Sequence, residues 1–155
     1  MTNIPVAVQM FTLRDECEKD FAGTLKKVAD IGFDGVEFAG FYGLTAIEVK
    51  ALLDELGLKA AASHVPLEEL EYNLAGVIEA QKVLGSNYVV CPYLTPDRRN
   101  ENDYKALISF LDKAGEECRR EGITLCYHNH DFELERLSDG EWHLKLFLMI
   151  QIQTT

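Results

Sequence analysis

Four glycines frame this chain. Gly32, Gly57, Gly85 and Gly122 each stand between a run with helical spacing and a short β-rich run. A chain leaving a helix often turns through a left-handed conformation that glycine takes without a Cβ penalty, so each is read as a helix stop. The β-rich runs are Val6 to Phe11, Gly35 to Phe38, Lys59 to His64, Tyr88 to Cys91 and Ile123 to His128. They are continuous in apolar and small residues rather than alternating, as strands covered on both faces of a parallel sheet are. Between them, Phe21, Leu25, Val28 and Ala29 share one helical face, as do Val49, Leu52, Leu53 and Leu56. Leu67, Leu70, Leu74, Val77 and Ile78 mark a third helix, and Tyr104, Leu107, Ile108, Leu111 and Ala114 a fourth. Thr45 and Glu48 have the spacing of a capping box at the start of the second.

Five strands alternating with four helices, at roughly 30 residues per unit, fit right-handed βαβ crossovers. Periodicity leaves two architectures open: an open doubly wound sheet, or the first five strands of a (β/α)8 barrel. The first strand is followed by Gln9-Met10-Phe11-Thr12-Leu13-Arg14-Asp15 rather than a glycine-rich loop, which argues against a dinucleotide site. At 155 residues the chain makes one domain with a sizeable core. It is about 100 residues short of an ordinary eight-stranded α/β barrel. After Glu135 the rhythm fails. Arg136 to Gly140 reads as a turn, and Trp142 to Ile150 as a strand or a frayed helix. Residues 1–140 are therefore expected to form the α/β unit and 141–155 an atypical tail.

With 15 basic and 26 acidic residues the formal charge is −11, which argues against nucleic-acid or anionic-membrane partners. No apolar run of about 18 residues suggests a membrane span, and no secretory pattern opens the chain. Cys17, Cys91, Cys118 and Cys126 form no CxxC pair, so a reduced, cytoplasmic setting is expected.

In parallel α/β sheets ligands gather at the carboxyl ends of the strands. Gln9, Glu37 and His64 stand at three such ends, Tyr93 follows the fourth, and Tyr127-His128-Asn129-His130-Asp131-Phe132-Glu133 follows the fifth. His128 and His130 point to one side by the period of two. Imidazoles and carboxylates together bind divalent metals and exchange protons near neutral pH. Glu37, His64, His128, His130 and Gln9 are the candidate substrate-binding residues. Cys91, Cys126 and Trp142 read as packing residues.

These motifs resemble the sugar phosphate isomerase/epimerase family of xylose-isomerase-like TIM barrels. The likeness runs from about Val6 to Asp139. It is carried by Gln9 to Asp15, by Ile31-Gly32-Phe33-Asp34-Gly35-Val36-Glu37, by Ser63-His64-Val65 and by Tyr127 to Glu133. The resemblance implies an α/β fold, a partial (β/α)8 barrel of five parallel strands. It implies metal-dependent isomerisation or epimerisation of a sugar or sugar phosphate, by proton transfer next to a ketose carbonyl. Inosose and keto-sugar dehydratases are relatives. The implied cofactor is a divalent metal (Mn, Co, Mg or Zn), and of its usual ligands only Glu133 has a counterpart here, as metal ligand and catalytic residue. Glu37, His64, His128 and His130 match pocket-lining positions.

Strands six to eight of that pattern are missing, and residues 141–155 read like a shifted frame. The expected metal site is therefore incomplete, and the resemblance alone does not make this chain an enzyme. A non-catalytic sugar-binding or assembly fragment is the alternative, as is an unrelated open α/β domain. A partial barrel has open sheet edges, from which a homodimer, marginal stability or cover by the tail is expected.

Overall fold

The computed structural model describes residues 4–136 and Gly140. The strands are β1 (Ala7–Gln9), β2 (Gly35–Phe38), β3 (Lys59–His64), β4 (Tyr88–Cys91) and β5 (Thr124–Tyr127). The helices are α1 (Arg14–Lys19), α2 (Phe21–Ile31), α3 (Ala46–Leu56), α4 (Leu67–Leu84) and α5 (Glu101–Arg120). All four strand pairings are parallel and the order is β1-β2-β3-β4-β5. A doubly wound sheet reverses direction part-way. A sequential order does not, so the strands are arranged as in a segment of a (β/α)8 barrel.

The helix ends follow local chemistry. Asp20 caps α2 by accepting from the Gly23 backbone N–H at 2.9 Å. The capping box at Thr45 and Glu48 is complete. Asn100 caps α5 by accepting from the Asn102 and Asp103 N–H groups at 3.0 and 3.1 Å. Gly57 and Gly85 end α3 and α4 at φ of 70° and 74°, the left-handed region where a Cβ is strained. The core has two parts. Leu25, Val36, Phe38, Val49 and Leu53 pack under the first three helices. Leu67, Leu70, Val89, Tyr104 and Leu107 pack under α4 and α5.

Three differences from the sequence reading matter. The first strand is shorter than Val6 to Phe11, because Met10–Leu13 wind into a 3-10 turn that buries Met10. A short helix, α1, follows it with Cys17 as its buried residue. Helix α4 runs on to Leu84 and is broken inside at Asn73 (φ −140°, ψ 41°).

All four cysteines are free; Cys91 is fully buried and Cys126 partly so. Among the described residues no helix is long and apolar enough to cross a membrane. Arg136 donates to the Gly140 carbonyl at 2.6 Å. The expectations for Trp142 to Ile150 and for the tail fall outside the described residues.

Candidate functional site

Strand register brings the first three polar residues together. Gln9 lies directly beside Glu37 in the β1–β2 pair, and side chains of parallel neighbours share a face. Between β2 and β3 the register shifts: Val36 pairs with Ala60, but Glu37 pairs with Ala62. Ala61 is thus the extra residue of a bulge. Without it Glu37 would sit opposite Ala61, and period two would give its face to Ser63. With it, His64 takes that face and Ser63 turns to the other. Bulges re-aim side chains in this way next to functional sites.

The result is a polar knot at the strand ends. Gln9 Nε2 donates to Glu37 Oε2 at 3.2 Å, and His64 Nε2 lies 3.3 Å from Glu37 Oε1. Gln9 Nε2 is also 3.3 Å from His64 Nε2. One tautomer satisfies the carboxylate: His64 carries its proton on Nε2 and donates to Glu37, while the Gln9 amide donates to the other oxygen. Burial holds His64 below its ordinary value; Glu37 opposes that shift, and His128 adds to it. The imidazole is therefore neutral at pH 7, a relay between a carboxylate and whatever lies above it.

The histidines after β5 extend the knot. His128 meets His64 edge-on at 5.2 Å between ring centres, and His130 stacks on His128 at 4.8 Å with 23° between planes. Strand β5 stops at Tyr127, so the two share a side through stacking rather than strand alternation. Phe132 stacks on His130 at 5.4 Å, and Tyr93 packs edge-on at 5.1 Å. Arg99 braces this wall: its guanidinium lies 3.5 Å from the Phe132 ring centre and 4.8 Å from that of Tyr93. It also donates twice to the Leu94 carbonyl, at 2.9 and 2.7 Å. Sequence reading missed Arg99 because an arginine in a loop carries no periodic signal.

These residues line a cavity of about 600 Å³, with Gln9, His64, Tyr93, His128 and His130 on its walls and Phe11, Pro66 and Pro92 as apolar surface. Glu37 reaches it through its bonds to Gln9 and His64. Glu133 stands apart. It is fully buried, accepts from the Tyr127 hydroxyl at 2.5 Å and from the His130 backbone N–H at 2.6 Å, and is not on the cavity wall. Burial and the bond to Glu133 push the Tyr127 phenol well above its usual range. Among the described residues no three His, Cys, Asp or Glu side chains are grouped to hold an ion. A divalent metal thus finds one occupied carboxylate in this part of the chain, and the described residues do not fit a closed metal site.

The model of the xylose isomerase-like TIM barrel family matches residues 25–141. The chain belongs to that family. Among solved structures, a sugar phosphate isomerase/epimerase from Parabacteroides distasonis superposes with a TM-score of 0.75 at 24% identity, over 97% of this chain and 62% of its own. A xylose isomerase domain-containing protein from Salmonella typhimurium LT2 gives 0.65 at 14% identity, over 97% and 60%. A xylose isomerase-like TIM barrel protein from Mycobacterium smegmatis, in complex with magnesium, gives 0.59 at 20% identity, over 79% and 54%. At these identities the likeness is one of fold. The chain spans about three fifths of the first of these barrels. No match was found among curated proteins.

Proposed function

We propose that this chain carries the substrate pocket of a sugar isomerase or epimerase, and that its strand-end cluster holds the hydroxyl groups of a keto-sugar. The observation that carries the reading is the convergence of Gln9, Glu37 and His64, each within 3.3 Å of the others, with Gln9 and His64 on the cavity wall and Glu37 bonded to both behind it. A carboxylate bonded to a neutral imidazole and an amide presents acceptors and donors at fixed angles, which a polyol matches. It also exchanges protons: His64, on the cavity wall, takes one from a bound sugar on its free ring nitrogen as its Nε2 proton passes to Glu37, and the same path returns it. Isomerisation next to a carbonyl needs that traffic. The sugar phosphate isomerase/epimerase among the structural matches supports the substrate class.

Glu133 enters as a proposed metal ligand. Both its oxygens now accept short bonds from Tyr127 and His130, so coordination requires donors beyond the described residues. The occupied oxygens of Glu133 favour a second reading, a sugar-binding fragment without turnover.

Titration with D-fructose in D2O, followed by proton NMR, tests both. Deuterium appearing at the carbon beside the carbonyl supports the isomerase, and its loss in Glu37→Gln assigns the proton carrier. Saturable binding without exchange, weakened about tenfold or more by Glu37→Gln, gives the binding fragment. A titration that shows no binding of D-fructose rejects the pocket.

A further inference from the structure

A second cavity, of about 320 Å³, opens between β3, the loop after β2 and helix α4. Its size is at the lower end of small-molecule sites. The bulge at Ala61 that hands His64 to the main pocket turns Ser63 to this one. Ser63 and Gln81 line the cavity, and each is only 1% exposed. Neither Ser63 Oγ nor Gln81 Oε1 has a hydrogen-bond partner among the described residues. A buried polar atom without a partner costs about 1–3 kcal/mol, so two on one cavity wall mark a place where another molecule supplies the bonds.

The break in α4 shapes the opposite wall. Asn73 leaves helical geometry, Glu69 comes from the turn before it, and Val77 and Gln81 from the turns after. Gly76 leaves room for the Asn73 amide: a Cβ there would lie 2.5 Å from Asn73 Oδ1 and push that side chain aside. Asn73 Nδ2 donates to Glu69 Oε1 at 2.9 Å.

The two cavities share His64, Pro66 and Gly40, so a single ligand can bridge them. Among the described residues neither is lined by a lysine or arginine, and Glu69 adds negative charge on a chain of net charge −11. A phosphate group finds no counter-ion among these residues. A neutral ring bearing hydroxyl donors does fit: O–H groups satisfy Gln81 Oε1 and Ser63 Oγ, and Val77 and Pro66 offer apolar surface. Resting on the reading of the main pocket as a sugar site, we propose that the cavity under the Asn73 break binds a second, uncharged sugar ring, so that the full site takes a two-ring ketose glycoside rather than a phosphorylated monosaccharide.

Calorimetry with D-fructose, lactulose and fructose 6-phosphate tests this, since lactulose is fructose carrying a second ring. Lactulose is expected to bind the unaltered chain at least about tenfold tighter than fructose, and fructose 6-phosphate more weakly than fructose. Gln81→Leu removes the orphaned amide at similar volume, and Ala80→Leu fills the cavity from the same helix. Each is expected to bring lactulose down to the affinity of fructose and leave fructose unchanged, with circular dichroism confirming the fold. Fructose that binds while lactulose gains nothing, or a lactulose advantage that survives both substitutions, overturns the second-ring site alone. Tighter binding of fructose 6-phosphate overturns the neutral-ligand assignment. Failure of all three sugars overturns the main-pocket reading, and this one with it.

Discussion

His64 links site and stability through one proton. Its folded-state value lies below the ordinary 6.5, with burial as the main cause. As pH falls past about 6.5 the unfolded chain takes up a proton that the folded chain still refuses, so stability falls as pH drops through this window. Urea midpoints are expected to be lower at about pH 5.5 than at about pH 7.5, and His64→Gln is expected to flatten that difference. Glu16, Glu48 and Glu121, whose values are lowered by their partners, lose their contributions below pH 4.5 and stay out of the comparison. Tyr127 and Glu133 make the second residue-scale case. Tyr127→Phe deletes the hydroxyl donor to a fully buried carboxylate and is expected to cost about 1–3 kcal/mol, read as a lower urea midpoint at unchanged slope. Gln9, Glu37 and His64 were legible in the sequence because Gln9 and His64 end strands and Glu37 stands one residue before the end of its own. The burial of Glu133 was not, because a carboxylate in a polar loop looks like any surface acid until Tyr127 is seen above it.

Among the elements, helix ends were the most legible because their chemistry is local. Thr45 and Glu48 lie three residues apart and form the box that spacing predicts. Thr45→Ala is expected to cost about 1 kcal/mol, measured as a shift in thermal midpoint with ligand binding intact, since α3 does not line the main cavity. Helix α1 was missed because its six residues, with Cys17 as the buried one, are too few to show a period. The break at Asn73 was hidden for the opposite reason: Leu67, Leu70, Leu74, Val77 and Ile78 keep helical spacing across it. The bulge at Ala61 left no mark, since a run of three alanines carries no record of which one is extra. Yet it decides whether His64 or Ser63 joins Glu37. A residue can thus be placed at a strand end from sequence, while the face it takes depends on a pairing set by the neighbouring strand.

At the scale of the molecule, strand order chose between the two architectures that periodicity left open, because a doubly wound sheet reverses part-way and this order does not. The same order leaves edges. Among the described residues β1 pairs with β2 alone, and its outer row of backbone groups is a template for another strand. A homodimer through such an edge remains a proposal, and the charge of the chain dictates how it should behave. Two copies each carrying −11 repel, and salt screens that repulsion within about 10 Å at 0.1 M. Association through the edge is therefore expected to strengthen with salt, whereas association through charge pairs would weaken. Sedimentation velocity over roughly a hundredfold range of protein concentration, at low and at high salt, separates the two. A sedimentation coefficient that rises with concentration, and rises earlier in high salt, supports the edge-paired dimer. A monomer at every concentration and both salt levels rejects it.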